Sequence, residues 1–259
     1  METTIIIPSH KRAGKVTTLK HLPVGSATIC VAEDQAEAYR AAHDAPLLVH
    51  PSDLLGVWAK RQWILDRFAG QSLVMIDDDC ERVVRVNRQE GNCPIARKST
   101  VDPDTTYELI WRTAEAARKL GAKFFGWNTH SNPVTYKPLR PFSMGGYVMG
   151  GAHGYLPGHK IRYPVDILHP GADHYASALN AYYDRYSFRD RRFAFAFAGT
   201  YTASGGLAEF RSEDGEAKAR EFLLAMFGDA FAATPNPQKR VTKRRHNGGA
   251  RKFKEPWPC

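Results

Sequence analysis

A chain of 259 residues, 43% of them apolar, can bury one sizeable core and is too hydrophobic for wholesale disorder. Its 36 basic and 27 acidic residues leave +9, yet Asn236–Cys259 holds eight basic residues against Glu255 alone, so a tail of +7 follows a body of only +2. No apolar run approaches the roughly 20 residues of a bilayer span, Ile5–Ile7 meets Pro8 too soon for a secretory leader, and Cys30, Cys80, Cys93 and Cys259 fit no zinc or redox spacing.

These features point to a cytoplasmic protein with reduced thiols. Thr3–Ile7, β-branched and closed by Pro8, predicts a buried strand. Ala27–Ala32 predicts a second strand, and Asp34–His43, rich in Ala, Glu and Gln, a helix after it. Leu47–Val49 is a third short strand, and Gly56–Ala69 spaces Val57, Ile64, Leu65 and Phe68 for one buried helix face. Ser72–Ile76 is almost wholly apolar, as strands covered on both faces of a parallel sheet are. Asp102 and Pro103 suit the cap and first position of a helix that Gly121 stops, and Lys123–Trp127 is the next strand. From Gly126 to Pro170 the chain is dense in Gly, Pro, His and aromatic residues, a composition of loops and short strands around a site. Asp173–Tyr186 and Glu216–Phe231 predict two further helices, and periodicity ends after Ala233. The alternation describes one α/β domain over 1–235, followed by a basic tail over 236–259.

Asp77-Asp78-Asp79 is the most informative run, because it leaves the Ser72–Ile76 strand at its carboxyl end, where open α/β sheets bind ligands. Three adjacent carboxylates repel one another, and a hard cation such as Mg²⁺ or Mn²⁺ relieves that repulsion. A polar turn uses the same residues, so the triplet alone leaves both readings open. Pro8, Ser9, His10, Lys11 and Arg12 follow the first strand and offer hydroxyl and basic groups to a nucleotide. Glu33 and Asp34 follow the second strand and suit a ribose or base edge, although Asp34 equally suits a helix cap. Lys60 and Arg61 sit on the Gly56 helix, where a solvated face is the ordinary reading.

With these residues together, the chain resembles glycosyltransferases of the GT-A fold, and more narrowly the phage glycosyltransferases associated with TET/JBP-type oxygenases. Ile5–Arg12, Gly56–Arg61 and Asp77–Asp79 carry the resemblance. It implies a single GT-A-type, Rossmann-like nucleotide-sugar-binding domain with a mixed, mostly parallel sheet. It also implies a nucleotide-sugar donor, UDP-linked in the common case, and a hydroxymethylated pyrimidine of DNA, such as 5-hydroxymethylcytosine, as acceptor. Asp77 and Asp79 match the two acids of the family's Asp-x-Asp element, which holds Mn²⁺ or Mg²⁺. Pro8, Ser9, His10, Arg12, Glu33, Asp34, Lys60, Arg61 and Asp78 fall on the donor side. The family's catalytic carboxylate starts a helix after the acceptor region. Asp173 in Gly171-Ala172-Asp173-His174-Tyr175 fits that slot, although the usual acidic pair is broken by His174 and Asp173 equally suits a plain helix cap. A late histidine ligand would be His246, with His153 and His169 as alternatives. Trp127, Tyr136, Phe142, Tyr147 and Tyr155 can stack on an extruded base, although core packing is the ordinary reading of such rings, and Lys239, Arg240, Lys243, Arg244, Arg245, Arg251 and Lys252 can meet phosphates. Transfer to a saccharide, lipid or protein, a nucleotidyltransferase, and a non-catalytic nucleic-acid-binding module are the competing expectations.

Overall fold

Three consecutive β-branched residues set the start of the molecule. Side chains alternate across a strand, so Ile5 and Ile7 enter one core and Ile6 the other, each at most 2% exposed. Burial of this kind is worth about 1.5–3 kcal/mol per side chain. The structure, a computed structural model, describes residues 2–86, 99–132, 136, 139–197 and 213–228. In chain order its elements are β1 (Thr3–Pro8), β2 (Thr28–Ala32), α1 (Ala36–Ala42), β3 (Leu47–His50), α2 (Gly56–Arg67), β4 (Ser72–Ile76), β5 (Cys80–Arg85), β6 (Ser99–Thr100), α3 (Pro103–Lys119), β7 (Phe124–Trp127), β8 (Phe142–Ser143), β9 (Ala152–Tyr155), α4 (Ala172–Tyr183), β10 (Phe188–Asp190), β11 (Phe193–Phe197) and α5 (Glu213–Phe227).

Eight strands form one sheet in the order β3-β2-β1-β4-β9-β7-β10-β8. β1 is parallel to β2 and β4, β2 to β3, and β7 to β10. β9 runs antiparallel between β4 and β7, and β8 runs antiparallel on β10. This is the expected α/β arrangement, a mixed and mostly parallel sheet. One face packs Ile5, Ile7, Ile29, Val74 and Ile76 against α1 and α3; the other packs Ile6, Leu73 and Met75 against Trp58, Ile64 and Leu65 of α2 and Tyr175 of α4. β9 fits between its neighbours only because position 154 is glycine, since a Cβ there would lie 2.1 Å from the Phe125 ring.

Asp102 caps α3 as expected, accepting from Thr105 N at 2.9 Å, with Pro103 at the first position. The helix expected from Asp34 starts only at Ala36, because Glu33–Gln35 closes as a separate 3₁₀ turn. The antiparallel sheet β11-β5-β6 was not foreseen. β5 pairs with β11 more than a hundred residues away, and no local period announces a pairing that distant. The proposed boundary at 235/236 lies outside the described residues. No helix among them is long and apolar enough to cross a membrane.

Candidate active site

The carboxyl ends of β1 and β4 lie side by side because those strands pair in parallel, and this brings the Ser9–Arg12 loop against the Asp triplet. Ser9 is the first residue past β1. Its hydroxyl bonds to the Tyr39 hydroxyl at 2.7 Å and donates to Asp78, while its carbonyl accepts from Lys60 Nζ at 2.6 Å. The loop turns through Lys11 at φ +54°, and Arg12 N then donates to the Tyr39 oxygen at 2.9 Å. Arg12 sends Nη1 to Asp78 at 2.7 Å and to Asp79 at 3.0 Å. Burial alone would lower the Arg12 pKa; the two carboxylates overcome it and raise it. Asp78 is thus turned inward, 5% exposed, where burial raises its pKa against Ser9 and Arg12.

Asp77 and Asp79 stay partly open, with side chains 40% and 26% exposed. The Asp77 amide is fixed by Gly151 O at 2.7 Å, and its carboxylate faces Arg61 Nη2 at 3.5 Å. Burial of the remainder, together with the charges of Asp79, Asp78 and Asp173, pushes the Asp77 carboxyl up to about 7 despite Arg61. A divalent cation would remove that penalty. Two carboxylates are what Mg²⁺ commonly takes from a protein when phosphate and water supply its other ligands. No cluster of three or more His, Cys, Asp or Glu side chains around one point is present among the described residues.

Lys60 and Arg61 are buried, at 7% and 4% exposure, contrary to the solvated face that is ordinary for such residues on a helix. Burial lowers the Lys60 pKa. Arg61 Nη2 also donates to Gly150 O at 2.8 Å, and Asp77 keeps its pKa raised against burial. Gly150 connects onward: its amide lies 3.4 Å from Asp173 Oδ2, and a Cβ on it would meet Asp173 Cβ at 2.8 Å. Asp173 occupies the first turn of α4, where the helix dipole favours an anion. It accepts from the Tyr147 hydroxyl, and its Oδ1 from His174 N at 2.9 Å. Burial would raise its pKa, but His174, Tyr147 and Arg61 prevail and hold it below the ordinary value, so it is ionised at neutral pH. The Tyr147 ring lies on that of His174, with centroids 4.6 Å apart.

Of the sequence-selected residues, Ser9, Arg12, Lys60, Arg61, Asp77, Asp78, Asp79, Tyr147 and Asp173 therefore gather around one end of the sheet. His10 bonds to Gln35 at 3.2 Å nearby, and Pro8 ends β1. Glu33 and Asp34 are exposed after β2, with Asp34 bound to Ser52 at 3.0 Å. Trp127 and Tyr155, expected to stack on an acceptor base, are core residues instead. They are 2% and 0% exposed, with Trp127 bonded to Thr113 and Tyr155 to Tyr163, because both lie on central strands covered on each face. His153 is also core, 1% exposed on β9, and burial drives its pKa far down. His169 packs its ring against Trp58 and Phe222. His246 and the seven tail cations Lys239, Arg240, Lys243, Arg244, Arg245, Arg251 and Lys252 lie outside the described residues. Tyr39 and Gly150 were not singled out. Tyr39 carried no signal beyond an apolar helix position, whereas Gly150 belonged to the Gly-rich middle already marked as irregular.

A family model described as TET-Associated Glycosyltransferase matches residues 3–163, more than half of the chain. Two curated proteins named beta-glucosyl-HMC-alpha-glucosyl-transferase, from Enterobacteria phages T2 and T6, are each 30% identical over 115 residues. That match takes in 43% of this chain and 41% of each relative, so less than half of either relative's length is spanned. Among solved structures, S. aureus TarS 1-349 superposes with a TM-score of 0.47 at 12% identity, covering 93% of this chain and 77% of that one.

Proposed function

The chain belongs to the TET-associated glycosyltransferase family, and on that premise we propose that it moves a sugar from a nucleotide-sugar donor, UDP-linked, to the hydroxyl of a hydroxymethylated pyrimidine in DNA. The names of the phage T2 and T6 relatives favour hydroxymethylcytosine as the acceptor base. The supporting observation is Arg61, which reaches Asp77 at 3.5 Å and Gly150 O at 2.8 Å, while the Gly150 amide faces Asp173. One buried cation thus joins the donor side of the site to its acceptor side.

In this mechanism the Ser9–Arg12 loop, with Glu33 and Asp34, borders the nucleoside, and Arg61 lies beside the diphosphate. Asp77 and Asp79 would hold Mg²⁺ or Mn²⁺, which when bound supplies Lewis-acid neutralisation of the departing diphosphate. Arg12 and Asp78 hold the loop and the triplet in register. The sugar–phosphate bond breaks through an oxocarbenium-like state. In an inverting transfer, ionised Asp173 takes the proton of the attacking hydroxyl as the new glycosidic bond forms. Tyr147 and the His174 amide orient that carboxylate. A base in duplex DNA must leave the stack to reach it, and the basic tail would add phosphate contacts.

The test is mass spectrometry of a hydroxymethylcytosine-containing duplex after incubation with a panel of nucleotide sugars and Mn²⁺. Addition of one sugar per modified base is expected, with Asp173→Asn slowing it by about 10²–10⁴. No sugar from any donor, or transfer unaltered in the Asp77→Ala/Asp79→Ala double variant, refutes the proposal.

A further inference from the structure

We infer that acceptor DNA docks along the outer edge of the large sheet at β8, an inference that rests on the DNA acceptor proposed above. Exposure alternates along residues 140–147, around the two-residue strand β8 and before the turn at Gly146, φ +84°. Arg140, Phe142, Met144 and Gly146 are exposed, while Pro141, Ser143, Gly145 and Tyr147 are half-buried. Phe142 on β8, with Arg140 before it and Met144 after it, is the exposed set at this edge. That edge carries unusual apolar surface, with Phe142 46% and Met144 42% exposed.

The exposed ring is built into a ladder of cations and rings. Phe142 stacks on buried Phe188 with centroids 5.7 Å apart. The Arg192 guanidinium lies over Phe142 at 4.7 Å and over Phe193 at 5.6 Å, and that of Arg85 covers Phe193 at 5.4 Å. Asp190, buried, grips Arg192 at 2.7 Å and fixes its plane against the ring. Arg85 and Arg140 are exposed and pair with no carboxylate among the described residues. Guanidinium groups suit phosphates, and the half-exposed Phe142 ring with the Arg192 guanidinium laid over it offers a flat cation–ring platform to a base, so the edge offers both things a nucleic acid needs. An acidic peptide has no flat face to lay on Phe142. A membrane surface calls for a broader apolar area than one ring and one thioether.

The edge leads directly to the reacting groups. Arg189 clamps the segment beyond Phe142 by donating to Ser143 Oγ at 3.2 Å, Gly145 O at 3.1 Å and Tyr147 O at 3.0 Å. Tyr147 is bonded to Asp173. Tyr147 stands five positions after Phe142, a span of at most about 17 Å. A strand lying on the edge would therefore present a nucleotide to Asp173 within a few steps of the one against Phe142, and Phe142 or Met144 can wedge beside the extruded base.

Fluorescence anisotropy with a labelled hydroxymethylcytosine duplex, on the full chain across a salt series, tests this. Arg85→Glu/Arg140→Glu is expected to weaken binding at least tenfold and to flatten the log–log salt slope by about 2, the two lost phosphate contacts. Phe142→Leu keeps the apolar contact with Phe188 and removes the flat face; about tenfold weaker binding with an unchanged salt slope is expected. Each variant is checked for a melting temperature within about 3 °C of wild type, a shift of about 1 kcal/mol. If wild type binds DNA and both variants bind it equally well, the docking edge is overturned while the acceptor proposal stands. If wild type binds no DNA, the acceptor proposal falls first. Variants that lose only phosphatidylserine vesicles, keeping DNA, also overturn the inference.

Discussion

Gly150→Ala probes whether the position of Asp173, and not merely its presence, matters. The added Cβ would stand 2.8 Å from Asp173 Cβ, against an ordinary contact limit of 3.4 Å, so the first turn of α4 must retreat by at least the 0.6 Å difference. The obstacle is the root of the side chain, which cannot swing aside. A misplacement of about 1 Å at a reacting group can cost about 10²-fold in rate, so a fall of roughly tenfold in kcat follows. Overpacking of this size costs about 1–3 kcal/mol in stability, a drop of about 2–12 °C in melting temperature. The Gly150 carbonyl, which holds Arg61 at 2.8 Å, is retained by alanine, so KM for the nucleotide sugar should hold within about threefold. Gly145→Ala is the control, because nothing lies within 4 Å of a Cβ there. Initial rates of labelled-sugar transfer to hydroxymethylcytosine DNA, with melting curves, decide the matter. Unchanged kcat in Gly150→Ala would refute the role given to Asp173.

Asp78→Asn should cost about 1–3 kcal/mol, because it removes one of the two carboxylates on a buried guanidinium while Asp79 stays, Asp78 and Arg12 having side chains only 7% and 10% exposed; an unchanged melting temperature contradicts the inward role of Asp78. His50 and His153 are buried and held neutral, His50 down to about 4 from 6.5. The unfolded chain takes up these protons first, so stability is greatest above pH 6.5 and falls as the pH drops, His50 alone accounting for about 1.4 kcal/mol per pH unit between 6.5 and about 4. Asp77, raised to about 7, works in the opposite sense, favouring the fold as pH falls from 7 toward 4. Urea melts should therefore lose stability more steeply over that range in Asp77→Asn than in wild type, and parallel pH profiles count against it. Burial pushes the Cys30 and Cys80 thiols up to about 12, so iodoacetamide at pH 8 should label neither until the protein is unfolded, as peptide mass spectrometry will report.

The parallel half of the sheet was legible because its causes are local. Ile5–Ile7, Ser72–Ile76 and the Asp102-Pro103 cap each specify their own conformation within a few residues, and the Asp triplet announces a strand end. What escaped detection depends on distant partners. Arg61 reads as a solvated helix residue until β4 and Gly150 fold over it, and Tyr39 reads as helix filler until Ser9 and Arg12 reach its hydroxyl. Trp127 and Tyr155 looked available because aromatic residues in a Gly-rich stretch can be core or surface, and only the pairing of β9 with both β4 and β7 buries them. Asp78 could not be told from its neighbours by sequence, since three identical residues differ only in which way the turn points them.

The antiparallel insertion of β9 has a consequence during synthesis. β1, β2, β3, β4 and β7 are all made before β9, yet β4 and β7 cannot be joined until Ala152–Tyr155 emerges. In the interval the nascent chain carries raw strand borders on β4 and on both sides of β7, apolar and ready to pair with the wrong neighbour. β9 is thus a keystone placed late, and a pause in translation just before it would be the moment of greatest dependence on chaperones.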